Sequence, residues 1–174
     1  MTKTLEFKKA IRDIPDFPKK GILFKDITTL LTRGDLFGKV IDEIAGQYQS
    51  KKIEKVVGIE SRGFIFGSAV AYKLGAGIVP IRKKGKLPYK TVSATYQLEY
   101  GTDTLEMHED ALKPGTRVLI VDDLLATGGT ARATAELVDK VGGKIVGYAF
   151  LIELEFLKGR KNLDGYDIFS LIQY

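Results

Sequence analysis

Apolar residues recur along this chain in two rhythms, and each change of rhythm marks a change of element. Between residues 5 and 14, Phe7, Ala10, Ile11 and Ile14 follow helical spacing, and Pro15 and Pro18 then end the helix. Residues 21–31, GILFKDITTLL, are apolar but keep no regular period. Asp35 predicts the N-cap of a second helix, with Phe37, Val40, Ile41, Ile44 and Tyr48 on its buried face. VVGI (56–59) and GIVPIR (77–82) are unbroken apolar runs, the pattern of strands covered on both faces. Residues 63–74 between them read as a helix, closed by Gly75 and Gly77.

Residues 83–91 form a basic loop with Gly85 and Pro88, and residues 92–107 read as a hairpin turning at Gly101. After a Pro114-Gly115 turn comes RVLIVDD (117–123), the strongest strand signal in the chain. ATGGT then makes a loop, and residues 130–141 a helix with Thr134, Leu137, Val138 and Val141 on one face. IVGYAFLIEL (145–154) and YDIFSLIQ (166–173) complete the strands. Strands alternating with helices predict an α/β fold, a mainly parallel central sheet flanked by helices in one domain.

Composition narrows the chemistry. The 174 residues include no cysteine, which excludes disulfides, thiolate metal sites and cysteine nucleophiles. Apolar residues make up 44% and charged residues 28%, enough for a packed core. The first residues are polar and charged and no apolar run could cross a bilayer, so the expectation is a cytoplasmic protein without a membrane partner. The net charge of +5 suits small phosphorylated ligands as well as nucleic acid. The densest basic cluster is Arg82, Lys83, Lys84 and Lys86; on charge alone it would be a solvated face.

The sharpest segment is VLIVDDLLATGGTA (118–131): a strand, two carboxylates, a short loop and a helix start. Ligands of open α/β sheets sit beyond the carboxyl ends of the strands. A helix N-terminus there offers free N–H groups to phosphate. Gly128 and Gly129 allow close backbone approach, and Thr127 and Thr130 add hydroxyls. No lysine follows the glycines, so this is not a Walker loop. Acids followed by an anion cradle suit a diol at one end and a phosphate at the other, as in ribose 5-phosphate.

VLIVDDLLATGGTA resembles the phosphoribosyl-pyrophosphate binding motif of the type I phosphoribosyltransferases. Four further segments resemble the adenine-specific branch of that family: DFPKKGILFKDIT (16–28), GIESRGFIFG (58–67), PIRKKGKLP (80–88) and LEYGTDTLEMHEDALKPG (98–115). LKGR and FSLIQY near the C-terminus also match. The resemblance implies the family fold, with a small N-terminal hood over residues 1–34 and a β-hairpin flap over about 83–107. It implies transfer of a phosphoribosyl group to N9 of adenine, giving AMP and pyrophosphate, with Mg²⁺ held mainly through substrate and water.

By the same resemblance, Asp122 and Asp123 bind the ribose hydroxyls. Ala126, Thr127, Gly128, Gly129 and Thr130 cradle the 5-phosphate, and Ser61, Arg62, Gly63, Arg82 and Lys86 take pyrophosphate. A cis peptide is expected before Ser61. Leu23, Phe24 and Lys25 form the adenine pocket, with Phe24 as a stacking face and its neighbours binding through backbone groups. Glu99, beside Tyr100 in the flap, is the acid/base group for the purine. Lys20, Lys25 and Tyr89 depart from the family's usual residues. A homodimer is expected. The rival readings are a phosphoribosyltransferase for another base, and a DNA-binding regulator that keeps the sugar-phosphate site. Too few residues precede the first sheet strand to place a helix-turn-helix with a basic recognition helix, so no nucleic-acid partner is expected.

Overall fold

The computed structural model describes residues 3–97 and 101–174. Seven strands form one sheet in the order β5-β6-β4-β3-β7-β8-β9. These are β3 (Lys55–Ile59), β4 (Gly77–Lys83), β5 (Thr91–Gln97), β6 (Thr102–His108), β7 (Arg117–Leu125), β8 (Lys144–Glu153) and β9 (Ile168–Gln173). β4, β3, β7, β8 and β9 run parallel, whereas β5 and β6 make an antiparallel hairpin on β4. The expected mainly parallel α/β sheet is therefore what forms.

Helices cover both faces, which is why the central strands are apolar throughout. On one side lie α1 (Lys3–Lys9), α2 (Thr28–Leu31), α3 (Gly34–Tyr48) and α4 (Gly63–Leu74); on the other lies α5 (Gly129–Lys140). Successive residues of β7 alternate between the two cores. Leu119 and Val121 join Val40, Ile44, Phe66 and Val70, while Val118 and Ile120 join Leu137, Val138 and Phe150. Burying one such side chain contributes roughly 1.5–3 kcal/mol. β7 is thereby fixed from both faces, and the loop that leaves its carboxyl end is well positioned.

The N-terminal segment, expected to form a hood, departs from the sequence reading. The first helix ends at Lys9, and residues Arg12–Pro15 form β1, paired antiparallel with β2 (Leu23–Asp26). Ile14, read as helical, sits opposite Phe24. This pairing across the turn satisfies backbone groups that an irregular segment would leave open. The second helix begins at Gly34, with Arg33 at the N-cap position and no side-chain cap bond. Asp35 thus lies inside the first turn rather than capping it. Leu36 is fully buried on this helix, and Phe37 only partly.

Candidate active site

The carboxyl ends of β3, β4 and β7 lie side by side, and their loops enclose one crevice. A cavity of about 230 Å³ is lined by Glu60, Arg62, Lys83, Tyr96 and the whole run from Asp122 to Ala131. The acid pair, the 126–130 segment expected to hold the 5-phosphate, and Arg62 of the segment expected to hold pyrophosphate are therefore brought together.

Asp122 and Asp123 sit near the end of β7. Asp122 Oδ1 accepts from the Asp123 N–H at 2.9 Å, and Arg62 Nε lies 2.9 Å from Asp123 Oδ2. Burial pushes both carboxyls above the usual carboxylate range. The Asp123 charge pushes Asp122 further, whereas Arg62 pulls Asp123 back. A proton or a hydroxyl donor would relieve such a pair.

Gly128 has φ of 84° at the N-cap position of α5, a backbone state that favours glycine. The N–H groups of that first turn lack helical partners. Thr127 and Thr130 line the same cavity. On the far side, Tyr96 of β5 lies over the loop: a Cβ on Gly129 would stand 3.4 Å from its ring.

Ser61 follows a cis Glu60–Ser61 peptide, the feature expected there. Arg62 occupies the N-cap position of α4, and Gly63 begins the helix. A Cβ on Gly63 would lie 2.7 Å from Asp122 Oδ1, so this glycine makes room for the acid pair. The Arg62 guanidinium also lies 5.4 Å from the Phe24 ring centroid. Phe24, Arg62 and Asp123 therefore form a continuous line from the hood to the acid pair.

The side chains of Leu23 and Lys25 point to the other face of β2. They line a separate cavity of about 440 Å³ with Leu154, Leu157 and Tyr174. Lys25 pairs with Asp13 at 2.7 Å and sits 4.0 Å from the Tyr174 ring centroid. β1 occupies one edge of β2, and among the described residues no strand occupies the other. That edge leaves backbone groups for a ligand.

Arg82 and Lys86 do not line the crevice. Arg82 contacts the Glu60 carboxylate at 3.3 and 3.4 Å and donates to the Lys86 carbonyl at 3.4 Å. Burial would raise the Glu60 carboxyl, but the Lys83 N–H and Arg82 outweigh it and hold it below its ordinary value. Lys83, which lines the cavity, is 3.2 Å from Asp103 of the hairpin. Sequence reasoning gave no role to Glu60 and Tyr96 and little weight to Lys83. Only the adjacency of Glu60 to Ser61 and of Lys83 to Arg82 signalled them. Glu99 and Tyr100 lie outside the described residues.

The profile of the phosphoribosyl transferase domain matches residues 28–173. The chain is 62% identical to the adenine phosphoribosyltransferase of Syntrophotalea carbinolica, over 97% of this chain and 99% of that protein. It is 61% identical to that of Brachyspira hyodysenteriae, over 98% and 100%. Among solved structures it resembles the adenine phosphoribosyltransferase of Thermoanaerobacter pseudethanolicus with a TM-score of 0.96, at 55% identity over 98% of this chain and 99% of that one. The Saccharomyces cerevisiae enzyme, solved with adenine and an imino-altritol bisphosphate, has a TM-score of 0.94 at 43% identity, over 98% of each chain.

Proposed function

The chain belongs to the phosphoribosyl transferase family, and on that premise we propose that it joins adenine to a phosphorylated ribose. It transfers the 5-phosphoribosyl group from 5-phosphoribosyl-1-pyrophosphate to N9 of adenine, giving AMP and pyrophosphate, a purine-salvage reaction. The single observation that carries this reading is the shared crevice of acid pair, glycine loop and Arg62, with Phe24 of the hood beside Arg62.

In this reading Asp122 and Asp123 accept hydrogen bonds from the ribose hydroxyls. Residues Ala126, Thr127, Gly128, Gly129 and Thr130 surround the 5-phosphate. Ser61, Arg62 and Gly63, with Arg82, Lys86 and also Lys83, hold pyrophosphate. Arg82 would exchange its Glu60 contact for the ligand. Phe24 stacks on the purine, and backbone groups of Leu23 and Lys25 meet its edge. A backbone carbonyl accepts from a 6-amino group. Against a 6-oxo group it would face another acceptor, and a buried unpaired polar group costs roughly 1–3 kcal/mol.

The C1′–O bond to pyrophosphate breaks and the C1′–N9 bond forms. The adenine proton departs from N7 to Glu99 in this scheme, and Tyr100 follows Glu99 in the chain. Positioning and charge stabilisation supply most of the rate. Mg²⁺, when bound with pyrophosphate, would neutralise charge on the leaving group. Among the described residues no three His, Asp or Glu side chains converge on one point. In this reading the ion's ligands would be mainly substrate oxygens and water, and Glu60, Asp122 and Asp123 are carboxylates that line the same cavity.

The reading includes a cytoplasmic homodimer. Ile65, Tyr72 and Ile78, exposed on α4 and β4, offer a second copy an apolar face, and sedimentation would test it. The reaction itself is tested by following AMP and pyrophosphate from adenine, the sugar pyrophosphate and Mg²⁺. Equimolar formation of both is expected; no AMP from adenine would overturn the reading. Glu99→Ala should lower turnover by about 10²–10⁴ with substrates still bound, and near-normal turnover would remove its role.

A further inference from the structure

The segment between β8 and β9 carries two 3-10 turns, Glu155–Leu157 and Gly159–Leu163, and it lies against the back of the phosphate loop. Its anchor is strong. Arg160 Nε and Nη2 each donate to the buried Glu153 carboxylate at 2.7 Å, and Nη1 donates to the Ile168 carbonyl at 3.2 Å. Leu163 is fully buried beside them. Burial would raise the Glu153 carboxyl, but Arg160 outweighs it and holds it below its ordinary value.

From this anchor Asn162 Nδ2 donates to the Thr127 carbonyl at 2.7 Å. The two backbones meet without side chains between them. A Cβ on Gly128 would stand 2.5 Å from the Gly159 carbonyl oxygen, and a Cβ on Gly159 would collide with that of Ala126. A trans peptide is planar, with its C=O and N–H pointing in opposite directions. Fixing the Thr127 carbonyl toward the strap therefore turns the Gly128 N–H away from the strap, and Gly128 itself lines the cavity formed by Asp122 to Ala131.

We propose that Asn162 is a positioning residue for the reaction, holding the Thr127–Gly128 peptide so that its N–H faces the 5-phosphate. This rests on the reading of residues 126–130 as the 5-phosphate cradle. In this proposal Asn162 acts through the Thr127 carbonyl rather than on the substrate itself. Its side chain is exposed, so its replacement leaves the folded core intact.

The test compares Asn162→Ala and Asn162→Asp, the latter of the same shape but without the N–H donor, with Thr130→Ala as a direct cradle variant. Binding of ribose 5-phosphate and of pyrophosphate is measured by calorimetry on the full chain, alongside KM for each substrate and kcat. Losing one such hydrogen bond should weaken ribose 5-phosphate, and raise KM for the sugar pyrophosphate, by about three- to tenfold in Asn162→Ala, and by at least as much in Asn162→Asp, whose carboxylate also faces the Thr127 carbonyl. Pyrophosphate binding and KM for adenine should stay within about twofold on the same argument. Unchanged ribose 5-phosphate binding in both variants, with Thr130→Ala weakened, overturns the proposal alone. Unchanged binding in all three overturns the cradle reading and the proposal with it. An equal loss of pyrophosphate affinity also overturns it, because Asn162 would then act on general stability.

Discussion

Gly63→Ala should damage the site through a single methyl group. The added Cβ would sit 2.7 Å from Asp122 Oδ1, 3.1 Å from the Val121 carbonyl oxygen and 3.3 Å from Asp122 Cα. A normal carbon–oxygen approach is about 3.3 Å, so the carboxylate must retreat by about 0.6 Å. It cannot simply rotate, because Oδ1 is held by the Asp123 N–H at 2.9 Å. The other two neighbours are backbone of a strand packed from both faces, so α4 or β7 has to shift. Overpacking of this kind costs about 1–3 kcal/mol, which in a domain this size lowers Tm by about 2–10 °C. A few tenths of an ångström at the proposed ribose site should lower kcat/KM for the sugar pyrophosphate by about 10–100-fold. Gly67→Ala, one turn along the same helix, is the control. Its Cβ would meet Gly58 Cα and Ile78 Cδ1 at 3.3 Å, away from the acids. It should lower Tm slightly and leave the kinetics alone. Steady-state rates at saturating adenine decide the matter; a parental KM and kcat in Gly63→Ala would refute the reasoning.

Three further outcomes follow from charges in and near the crevice. Asp122→Asn should raise Tm at pH 8 while weakening sugar binding, by about 0.5–2 kcal/mol in stability. A carboxyl with a raised native pKa binds its proton more tightly in the folded state, so stability falls as pH rises through the window above its unfolded value, and the variant's advantage should fade as pH drops toward about 4; thermal melts across pH check this, and a flat difference would contradict it. Arg160→Ala leaves the buried Glu153 unpaired; with Arg160 itself partly exposed, the loss should sit near the low end, about 2 kcal/mol in denaturant titration. Lys83→Ala should raise the dissociation constant of pyrophosphate about three- to tenfold, whereas Lys84→Ala should not; calorimetry distinguishes them, and equal effects would return both to a general basic field.

The sequence was most legible where local signals coincide with the tertiary role. β7, its acid pair and the start of α5 read directly, because an apolar run, two carboxylates and two glycines occur within fourteen residues. α4 read correctly from its apolar stretch and the Gly75 stop. The hood was misread because β1 exists only through its pairing with β2: Ile14 continues a helical spacing locally and meets Phe24 ten residues away. Asp35 looked like a cap, yet the helix starts one residue earlier. Within the site, Glu60 and Lys83 carry ordinary charged side chains, and only the adjacency of β3 and β4 brings them to the cavity. Asn162 stands 35 positions from Thr127 in a polar stretch with no motif of its own chemistry. Its contact depends on the Arg160 anchor and on two glycines that no local pattern links.

The proposed hood pocket should discriminate by the purine's 6-position. The direct measurement is one mixture of adenine, hypoxanthine and guanine at equal concentration, with limiting sugar pyrophosphate and Mg²⁺, analysed for nucleotide products. AMP should form almost alone, because the proposed backbone carbonyl of the hood would accept from a 6-amino group and face another acceptor in an oxopurine. IMP or GMP formed in comparable or greater amount would contradict the account of the hood while leaving the phosphate loop and acid pair in place.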